Sequence, residues 1–534
     1  MNLYKEILES NLPRLLSLYN QDRSSATYGY GDRLYWGWKI SDFPNGTMQG
    51  GVHALSIALK LDLIENKKFM LSLIDSAIRA IRDIRSNNGS LSEAYPQENS
   101  FCVTAVAAFD TLSAIDHLKP YLAFSQVNEY LEIVRPLILF ICKHIESHAI
   151  ISNHIATAAA ACAVWEKLSG EQLDRTHALL GIIYHHQSGE GWYREYEGAD
   201  PGYQTLATYY LFAAYEIVKD EKLLSSLEKA GRFLEYFIHP DGTLGGLYGS
   251  RNTEVYYPAG VVGMMKYSDR YKRIAGLLHH GLQERNHVLP QDIDIGNFIP
   301  LINAYAVAAL HFHTRPDDDA KPETQARHKT VFAKTFQDAG IYIHSTPFYY
   351  AIVNFKKGGT IKVYDKATDT LDIEDGGLFG QLETRQSFST QQFDSNRKFT
   401  DHTIETPFYL VNERLPGALS TIVIRILGFT FFRVIAIGNL FKKAIVRVLM
   451  TGKKPAGGKA VRRFFFSDNE IAVKETVLKP KSCKSVGHTG KCKAIHMASS
   501  GYFLAQDIQI MPTSKYVRFL QEDDSQIKTS HKCS

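Results

Sequence analysis

The period of the hydrophobic pattern changes once along this 534-residue chain, near residue 315, and this change constrains the fold more than any other feature. Up to the region of His313, apolar residues recur at helical spacing in one segment after another, as in FMLSLIDSAIRAIRDI. The loops between these segments are rich in Gly, Asn, Pro and aromatic residues. Helix pairs that alternate with such loops predict an α/α toroid over residues 1–314.

The polar, proline-containing stretch Arg315–Lys329 is predicted to be a linker. After it, short runs rich in Ile, Val, Tyr, Phe and Thr are separated by Gly, Asp and Asn, as in GGTIKVYD and TLDIEDGG. This pattern is typical of an antiparallel β-sandwich, which we expect over residues 330–534. Because the chain is too long for one core, the sequence predicts a multidomain α+β protein: an N-terminal α/α toroid followed by an antiparallel β-sandwich domain.

A strongly apolar segment, residues 416–454, interrupts the predicted sandwich. All of its charges are basic, among them Arg425, Arg433 and Lys443. They occur too often for a clean membrane span, but one or two cationic amphipathic helices at the surface of an anionic bilayer fit the pattern. The alternatives are buried strands, or a hydrophobic insertion packed on its own domain. We favour contact with a membrane or a partner, because so much apolar surface usually marks an interaction.

Composition narrows the classes of partner. The net charge of +4 is small for this length and does not indicate nucleic acid. The six cysteines form no CxxC pair, so no disulfide framework, metal or other cofactor is predicted. The first residues, MNLYKEILESNLPRLLSLYNQDR, lack a continuous apolar region and are typical of an amphipathic helix, not a signal peptide. We therefore expect a cytoplasmic protein, peripheral on the inner face of the membrane through residues 416–454.

Asn153 and His154 stand side by side at the start of a predicted helix. The imidazole of a histidine can gain or lose a proton near neutral pH, which suits catalysis. A single histidine is more often a core residue, and a single asparagine is more often a helix cap. The pair alone leaves both interpretations open.

A Gly-rich aromatic loop, GEGWYREYEGADPGYQ, runs directly into the apolar helix TLATYYLFAAYEIV. The loop carries Trp192, Tyr203 and several acids, and is a candidate floor for a cleft that binds a polar, ring-shaped ligand. Tyr203 could move a proton at a sugar carbon or glycosidic oxygen if neighbouring cationic groups lower its pKa. The alternative is a solvated connector whose tyrosine packs on the following helix.

A second Gly-rich aromatic loop, GGLYGSRNTEVYYPAG, carries Arg251 and Tyr248. Arginine binds carboxylates through two parallel hydrogen bonds, although a surface ion pair would also explain Arg251. Trp36 and Trp38 supply rings on which sugars could stack, with core packing as the alternative. Glu98 completes the candidate substrate-binding residues, as an acid that could bind hydroxyl groups.

The order of these features resembles that of the heparinase II/III-like polysaccharide lyases and the related uronate epimerases. The order is a helical toroid, Asn-His at a helix start, a Gly-rich loop with a later tyrosine, and then a β-sandwich. The motifs that carry the resemblance are SNH at Ser152–His154 and EGADPGYQ at Glu197–Gln204.

The resemblance implies a role for each matched residue. Asn153 and His154 would contact the carboxylate of a uronate, with His154 also the base for one C5 epimer. Tyr203, preferred over the tyrosines inside the following helix, would be the base or acid at C5 and at the glycosidic oxygen. A further histidine from the β-domain is expected, with His344 and His402 as candidates. We add Arg251 as a second group that neutralises the carboxylate.

The predicted function is β-elimination or C5 epimerisation on a uronic-acid-containing glycan, during polysaccharide biosynthesis or processing. The substrate would be an acidic polysaccharide or a lipid-linked glycan. Two alternatives stay open. One is a glycoside hydrolase on an α/α toroid, which needs two carboxylates across the scissile bond. The other is a non-catalytic, membrane-associated component of glycan assembly.

Overall fold

The computed structural model describes residues 2–146, 149–312, 326–411, 415, 417–447, 452–490 and 514–521. Its first part, up to residue 312, is built from helices. Their bounds are α1 Leu3–Leu16, α2 Arg33–Trp36, α3 Val52–Lys60, α4 Lys67–Ile84, α5 Phe101–Leu118, α6 Phe124–Lys143, α7 Ser152–Ser169, α8 Asp174–His186, α9 Pro201–Val218, α10 Glu221–Leu234, α11 Pro258–Met264, α12 Asp269–Gln283 and α13 Ile295–His311.

Six of these helices form a closed inner ring. Helices α3, α5, α7, α9, α11 and α13 each contact the next, and α13 returns to contact α3. Helices α4, α6, α8, α10 and α12 each pack outside the inner helix that precedes them, and α1 packs on α13. The inner helices are buried on nearly all sides, which explains why their sequences are apolar all round. The predicted α/α toroid is confirmed.

Helix α5 and the turn after it are long and apolar enough to cross a membrane, judged by composition alone. This stretch, Phe101–Tyr121, is the one candidate span found among the described residues, and 78% of its apolar window is buried. Since α5 packs between α3 and α7 in the inner ring, its apolarity is that of a core helix.

The second part of the chain forms two sheets. Their strands are β1 Phe332–Phe336, β2 Ile341–Ser345, β3 Tyr349–Asn354, β4 Thr360–Asp365, β5 Thr370–Asp375, β6 Leu378–Leu382, β7 Ser387–Ser389, β8 Thr403–Leu410, β9 Pro455–Phe466, β10 Ile471–Leu478, β11 Cys483–His488 and β12 Val517–Gln521. Strands β1 to β5 form an antiparallel meander, and the second sheet has the order β11-β6-β7-β8-β9-β10-β12. The predicted β-sandwich is confirmed, with one departure from antiparallel pairing, because β10 and β12 run parallel.

The first sheet packs between the toroid and the second sheet. Side chains alternate along β2, so Ile341 and Ile343 join a cluster with toroid residues such as Phe237. Tyr342 points the other way and packs with Phe464 of the second sheet. The sandwich is therefore attached to the toroid through one whole face of its first sheet.

The cationic segment forms a helical hairpin between β8 and β9. Its helices are α14, Ala418–Phe429, and α15, Ile435–Val446. The prediction of one or two helices is confirmed here, and the alternative of buried strands is wrong. The hairpin packs on the toroid through Phe432, which is 1% exposed and lies 5.5 Å from the ring of Tyr95.

Two predicted features lie at the limits of the described residues. Most of the predicted linker, residues 315–325, is outside them, and Arg327–Lys329 form a single 3-10 turn. Residues 501–510, GYFLAQDIQI, which belong to the predicted β-sandwich range, are also outside them.

Candidate active site

Two segments of the toroid, residues 150–152 and 194–196, run side by side. The backbone N–H of Ser152 donates to the carbonyl of Arg194, and that of Tyr196 donates to the carbonyl of Ile150, both at 3.0 Å. Because α7 begins at Ser152, this pairing holds the first turn of α7 against the Gly-rich aromatic loop. The two motifs that carried the resemblance are therefore neighbours in space.

His154 forms an ion pair with Glu146. Nδ1 of His154 lies 2.8 Å from Oε2 of Glu146, and 22% of the His154 side chain is exposed. Burial lowers the pKa of His154, but the neighbouring Cys102 and Glu146 outweigh burial and hold the pKa well above its ordinary value. The 2.8 Å contact with Glu146 favours the imidazolium form of the ring, which suits binding of a carboxylate and argues against His154 as a base.

Asn153 is held in place by Glu195. One carboxyl oxygen of Glu195 accepts the backbone N–H of Asn153 at 3.0 Å, and the other accepts its Nδ2–H at 2.9 Å. Both residues are buried. Burial raises the pKa of Glu195 to about 8, although the charge of His154 and the bonds from Asn153 oppose the shift. Glu195 thus fixes the amide of Asn153 beside the His154 imidazolium.

Arg251 stacks on the ring of Tyr196. The guanidinium carbon lies 4.6 Å from the ring centroid, within the range of a cation–π contact. The backbone N–H of Arg251 donates to Asp200 at 2.8 Å. Burial raises the pKa of Tyr196, and the positive charges of Arg251 and His154 partly offset this rise. The arginine loop and the aromatic loop therefore meet close to His154.

Tyr203 is the third residue of α9. Its backbone N–H donates to Asp200, the N-cap of this helix, at 3.1 Å. Its half-buried ring packs against the core of the toroid. Asp200 thus positions Tyr203 and Arg251 together, since it accepts a backbone hydrogen bond from each. The positive charges of Arg251 and His154, however, act on Tyr196.

An acidic cluster extends the site towards α15. Glu93 is exposed to solvent and lies beside the buried Glu98, whose carboxylate accepts the backbone N–H of Glu93 at 2.9 Å. Burial and the charge of Glu98 raise the pKa of Glu93 to about 6, while His154 and Lys442 lower it. Lys442 of α15 donates to Glu98 at 3.0 Å. Burial lowers the pKa of Lys442, but Glu98 and Glu146 outweigh it and raise the pKa, so the hairpin contributes a cation to this cluster.

Three of the predicted substrate-binding residues are buried, and these predictions are corrected. Tyr248 is fully buried, and its hydroxyl lies 2.8 Å from Nε2 of His239. Trp192 is 8% exposed and packs with Tyr248 where the sandwich meets the toroid. Glu98 is also buried, and its carboxylate accepts from Lys442 and from two backbone N–H groups. The polar atoms of Tyr248 and Glu98 are bonded within the protein, and Trp192 packs between the two domains, so these three residues have structural roles.

The two remaining predicted tryptophans differ from each other. Trp36 is half-buried and donates from Nε1 to the carbonyl of Leu18 at 2.8 Å, which is a packing role. Trp38 is 66% exposed on the loop after α2. Trp38 alone keeps a ring face free for a ligand.

The histidines proposed from the β-domain do not reach the site. His344 lies on the same face of β2 as Tyr342, which faces the second sheet and not the toroid. Its Nδ1 is 2.8 Å from the hydroxyl of Tyr349. The ring of His402 packs 4.3 Å from the ring of Tyr342. Among the described residues, no group of three or more His, Cys, Asp or Glu side chains could hold a metal ion.

No protein-family model matches the chain, and no curated protein matches its sequence. Among solved structures, the chondroitin AC lyase of Streptomyces coelicolor A3, in complex with chondroitin sulphate, aligns with a TM-score of 0.50 at 10% identity. The alignment covers 88% of this chain and 65% of that one. The fold is similar to that of this lyase.

Two other lyase structures align less well. Paenibacillus xanthan lyase has a TM-score of 0.47 at 12% identity, with 76% of this chain and 44% of that chain covered. Heparinase III has a TM-score of 0.46 at 11% identity, with coverage of 90% and 84%. The chain therefore spans less than two-thirds of the chondroitin AC lyase and less than half of the xanthan lyase.

Sequence reasoning missed three residues of this site. Glu146 follows α6 in an irregular segment with no motif around it. Tyr196 lies in the analysed loop, but its φ of +58°, a region that bulky residues rarely adopt, is visible only in the structure. Lys442 was assigned to a membrane-facing segment, and nothing in its sequence indicates that it would turn towards Glu98.

Proposed function

We propose that the protein removes the C5 proton of a uronate residue in a glycan, as a polysaccharide lyase or a C5-epimerase. The observation that carries this proposal is a group of neighbouring side chains, which we call the corner. It consists of His154 paired with Glu146, the amide of Asn153 bonded to Glu195, and Arg251 stacked on Tyr196. Such a corner favours an anionic, ring-shaped substrate. The toroid-plus-sandwich fold, similar to that of a polysaccharide lyase, supports a polymeric substrate.

The proposed chemistry begins with the uronate carboxylate. The proton on C5 is barely acidic while this carboxylate carries its full charge. Pairing with His154 and hydrogen bonding to Asn153 would stabilise the enolate-like intermediate that forms when the proton leaves, in the manner of an oxyanion hole. These residues act on the carboxylate, and a separate group must accept the proton.

A tyrosine is the candidate for that group. Tyr203 is the residue that the resemblance implies. Tyr196 is a second candidate because Arg251 stacks on its ring, and because the charges of Arg251 and His154 oppose the rise that burial causes in its pKa. After the tyrosine phenolate takes the C5 proton, the C5–H electron pair forms the C4–C5 double bond and the C4–O bond breaks. The tyrosine O–H then gives its proton to the departing oxygen, which leaves an unsaturated uronate. If the C4–O bond stays intact and a proton returns to the opposite face of C5, the product is the epimer.

Activity on a panel of uronate polymers tests this proposal. Elimination gives a product that absorbs in the near ultraviolet, and epimerisation in heavy water places deuterium at C5. One of the two variants Tyr203→Phe and Tyr196→Phe, the one that removes the hydroxyl that transfers the proton, is expected to abolish the signal. Tyr121→Phe, a matched change at an exposed and distant tyrosine, is expected to retain it. Absence of both signals across the whole panel would contradict the proposal.

A glycoside hydrolase is the second candidate function, and Glu93 is the observation that favours it. A solvent-accessible carboxyl group with a pKa of about 6 is suited to act as a general acid. This function predicts new reducing ends without unsaturation, lost in Glu93→Gln. The lipid-linked form of the glycan and the cytoplasmic location stay predictions.

A further inference from the structure

The outer side of the α14–α15 hairpin carries a cluster of exposed apolar side chains. We define the hairpin face by six of them, each more than half exposed: Leu419, Ile422, Ile426, Phe429, Phe431 and Leu440. Contiguous apolar surface of this kind is rare on a protein that contacts only water. The hairpin face therefore needs an occupant.

The opposite side of the hairpin is fixed to the toroid. The carbonyl of Phe432 accepts from Nδ2 of Asn99 at 3.0 Å, and Lys442 pairs with Glu98 at 3.0 Å. At Gly428, an added Cβ would lie 2.8 Å from the carbonyl oxygen of Pro96, so the helix approaches the toroid closely there. These contacts hold the hairpin face outwards. The hairpin would have to break all of them to turn over and bury that face.

The charges that the hairpin itself carries are all basic. Arg433, Lys443 and Arg447 are exposed beside it. No acidic residue occurs between Glu413 and Asp468 in the sequence. Apolar side chains bordered by basic residues are the pattern of a helix that lies on an anionic lipid surface.

The helices are too short to cross a bilayer. Twelve residues of α14 extend over about 18 Å, whereas the hydrocarbon core of a bilayer is about 30 Å thick. A hairpin of this size that is held against a folded domain can enter only one leaflet. Its geometry fits an interfacial position with the helix axes along the membrane plane.

A neighbouring loop continues the same surface. Arg425 of α14 pairs with Asp42 at 3.1 Å and lies over the ring of Phe43 at 5.3 Å. The loop that contains these residues also exposes Trp38 by 66% and Ile40 by 74%. Tryptophan is enriched where membrane proteins meet the headgroup region. Trp38 is therefore a candidate for contact with lipid headgroups as well as for stacking on a sugar.

We propose that the hairpin face docks on the surface of an anionic phospholipid bilayer. The apolar side chains enter the boundary between headgroups and acyl chains, and the basic residues pair with lipid phosphates. Leu440 and Lys442 lie on the same helix, α15, so the docked face and the acidic cluster near His154 are two sides of one element. Docking would hold the candidate active site close to the bilayer. This proposal does not depend on the reaction that the site catalyses.

Vesicle sedimentation of the full chain tests the docking. The vesicles contain either phosphatidylcholine alone or equal parts of phosphatidylcholine and phosphatidylglycerol. We expect binding to the anionic vesicles to exceed binding to the neutral ones at least about tenfold. The double variant Ile426→Asp/Phe429→Asp is expected to lose at least about tenfold in binding. The matched variant Phe124→Asp, at an exposed phenylalanine of α6, is expected to bind as the wild type does.

A second variant keeps the test valid if the aspartate variant fails to fold. Arg433→Gln/Lys443→Gln keeps every apolar side chain and is expected to weaken anionic binding about fivefold per charge removed. Failure of the wild-type protein to bind anionic vesicles would overturn the proposal. So would equal losses in the hairpin variant and in Phe124→Asp. A dimer in light scattering that disappears in Ile426→Asp/Phe429→Asp, without any vesicle binding, would assign the face to a second copy of the chain instead.

Discussion

Replacing Glu146 by glutamine should lower the pKa of His154 while leaving the shape of the site intact. Glutamine has nearly the same volume as glutamate and can still accept a hydrogen bond from Nδ1 of His154, but it carries no charge. The prediction therefore isolates the electrostatic contribution of one carboxylate to the charge of one imidazole.

The size of the shift follows from the geometry of the ion pair. Two unit charges about 4 Å apart interact by about 4 kcal/mol at an effective dielectric constant of about 20, and one pKa unit corresponds to about 1.4 kcal/mol. His154 and Glu146 are joined at 2.8 Å, with side chains 22% and 5% exposed. Because the exposed edge of the imidazole allows solvent screening, we expect removal of the Glu146 charge to weaken protonation of His154 by about 1–3 kcal/mol, and its pKa to fall accordingly.

The same shift makes stability depend on pH. The folded pKa of His154 is raised above the value of about 6.5 that an unfolded histidine has. The ion pair thus stabilises the fold fully below about pH 6.5, and this contribution is lost as the pH rises through the folded pKa. In Glu146→Gln the pH-dependent contribution should shrink.

A histidine-selective NMR titration of the full chain measures the pKa directly. Glu129→Gln, at a surface carboxylate on α6, is the matched control and should leave the His154 titration unchanged. A wild-type His154 that titrates at or below pH 6.5 would refute the reasoning. An unchanged pKa in Glu146→Gln would refute it equally.

Three further changes test other parts of the structure. Arg462→Met removes the buried cation that bonds Asp375 at 2.6 Å, and should lower the free energy of unfolding by about 3–5 kcal/mol in denaturant melts; a loss below about 1 kcal/mol would contradict this. Burial lowers the pKa of His488, but carboxylates including Asp375 raise it to about 10. The stabilisation that protonated His488 provides should therefore fade between about pH 6.5 and 10 in thermal melts, and His488→Gln should remove that pH dependence. Arg251→Lys loses the planar stack on Tyr196, and should reduce turnover at least about tenfold with an unchanged circular dichroism spectrum; full activity would exclude a role for the stack.

The fold could be predicted because helical spacing dominates the chain up to residue 312 and short β-type runs dominate the rest, apart from the helical hairpin α14–α15. The inner helices of the toroid are apolar all round, and the outer ones are amphipathic, as α4 and α10 show with a single buried stripe each. The strands between residues 332 and 375 are short and bounded by turns. The pattern does not single out strands β1, β8, β11 and β12, because sequences such as TIETPFYL and VRFLQ show neither a long apolar run nor a clear turn signal.

Several residues of the candidate site could be predicted, but the sequence shows proximity only for those that are adjacent in it. Asn153 and His154 are neighbours at a helix start, so their proximity needed no knowledge of the fold. Glu146 lies three residues after the end of α6, and the packing of α6 on α7 brings it close to His154, which the sequence does not show. Trp192 and Tyr248 were predicted to face a ligand, but they face the sandwich, because a sequence does not show which aromatic rings a second domain will cover.

The exchange of hydrogen at C5 of a uronate polymer tests the central claim most directly, since both proposed reactions pass through loss of this proton. The polymer is incubated in heavy water with the wild-type protein, or with His154→Asn as the comparison, and the products are examined by NMR and by near-ultraviolet absorbance. We predict deuterium at C5 or an unsaturated product with the wild-type protein, and neither with His154→Asn. Turnover of the polymer that leaves C5–H untouched, or equal exchange in both proteins, would contradict the account.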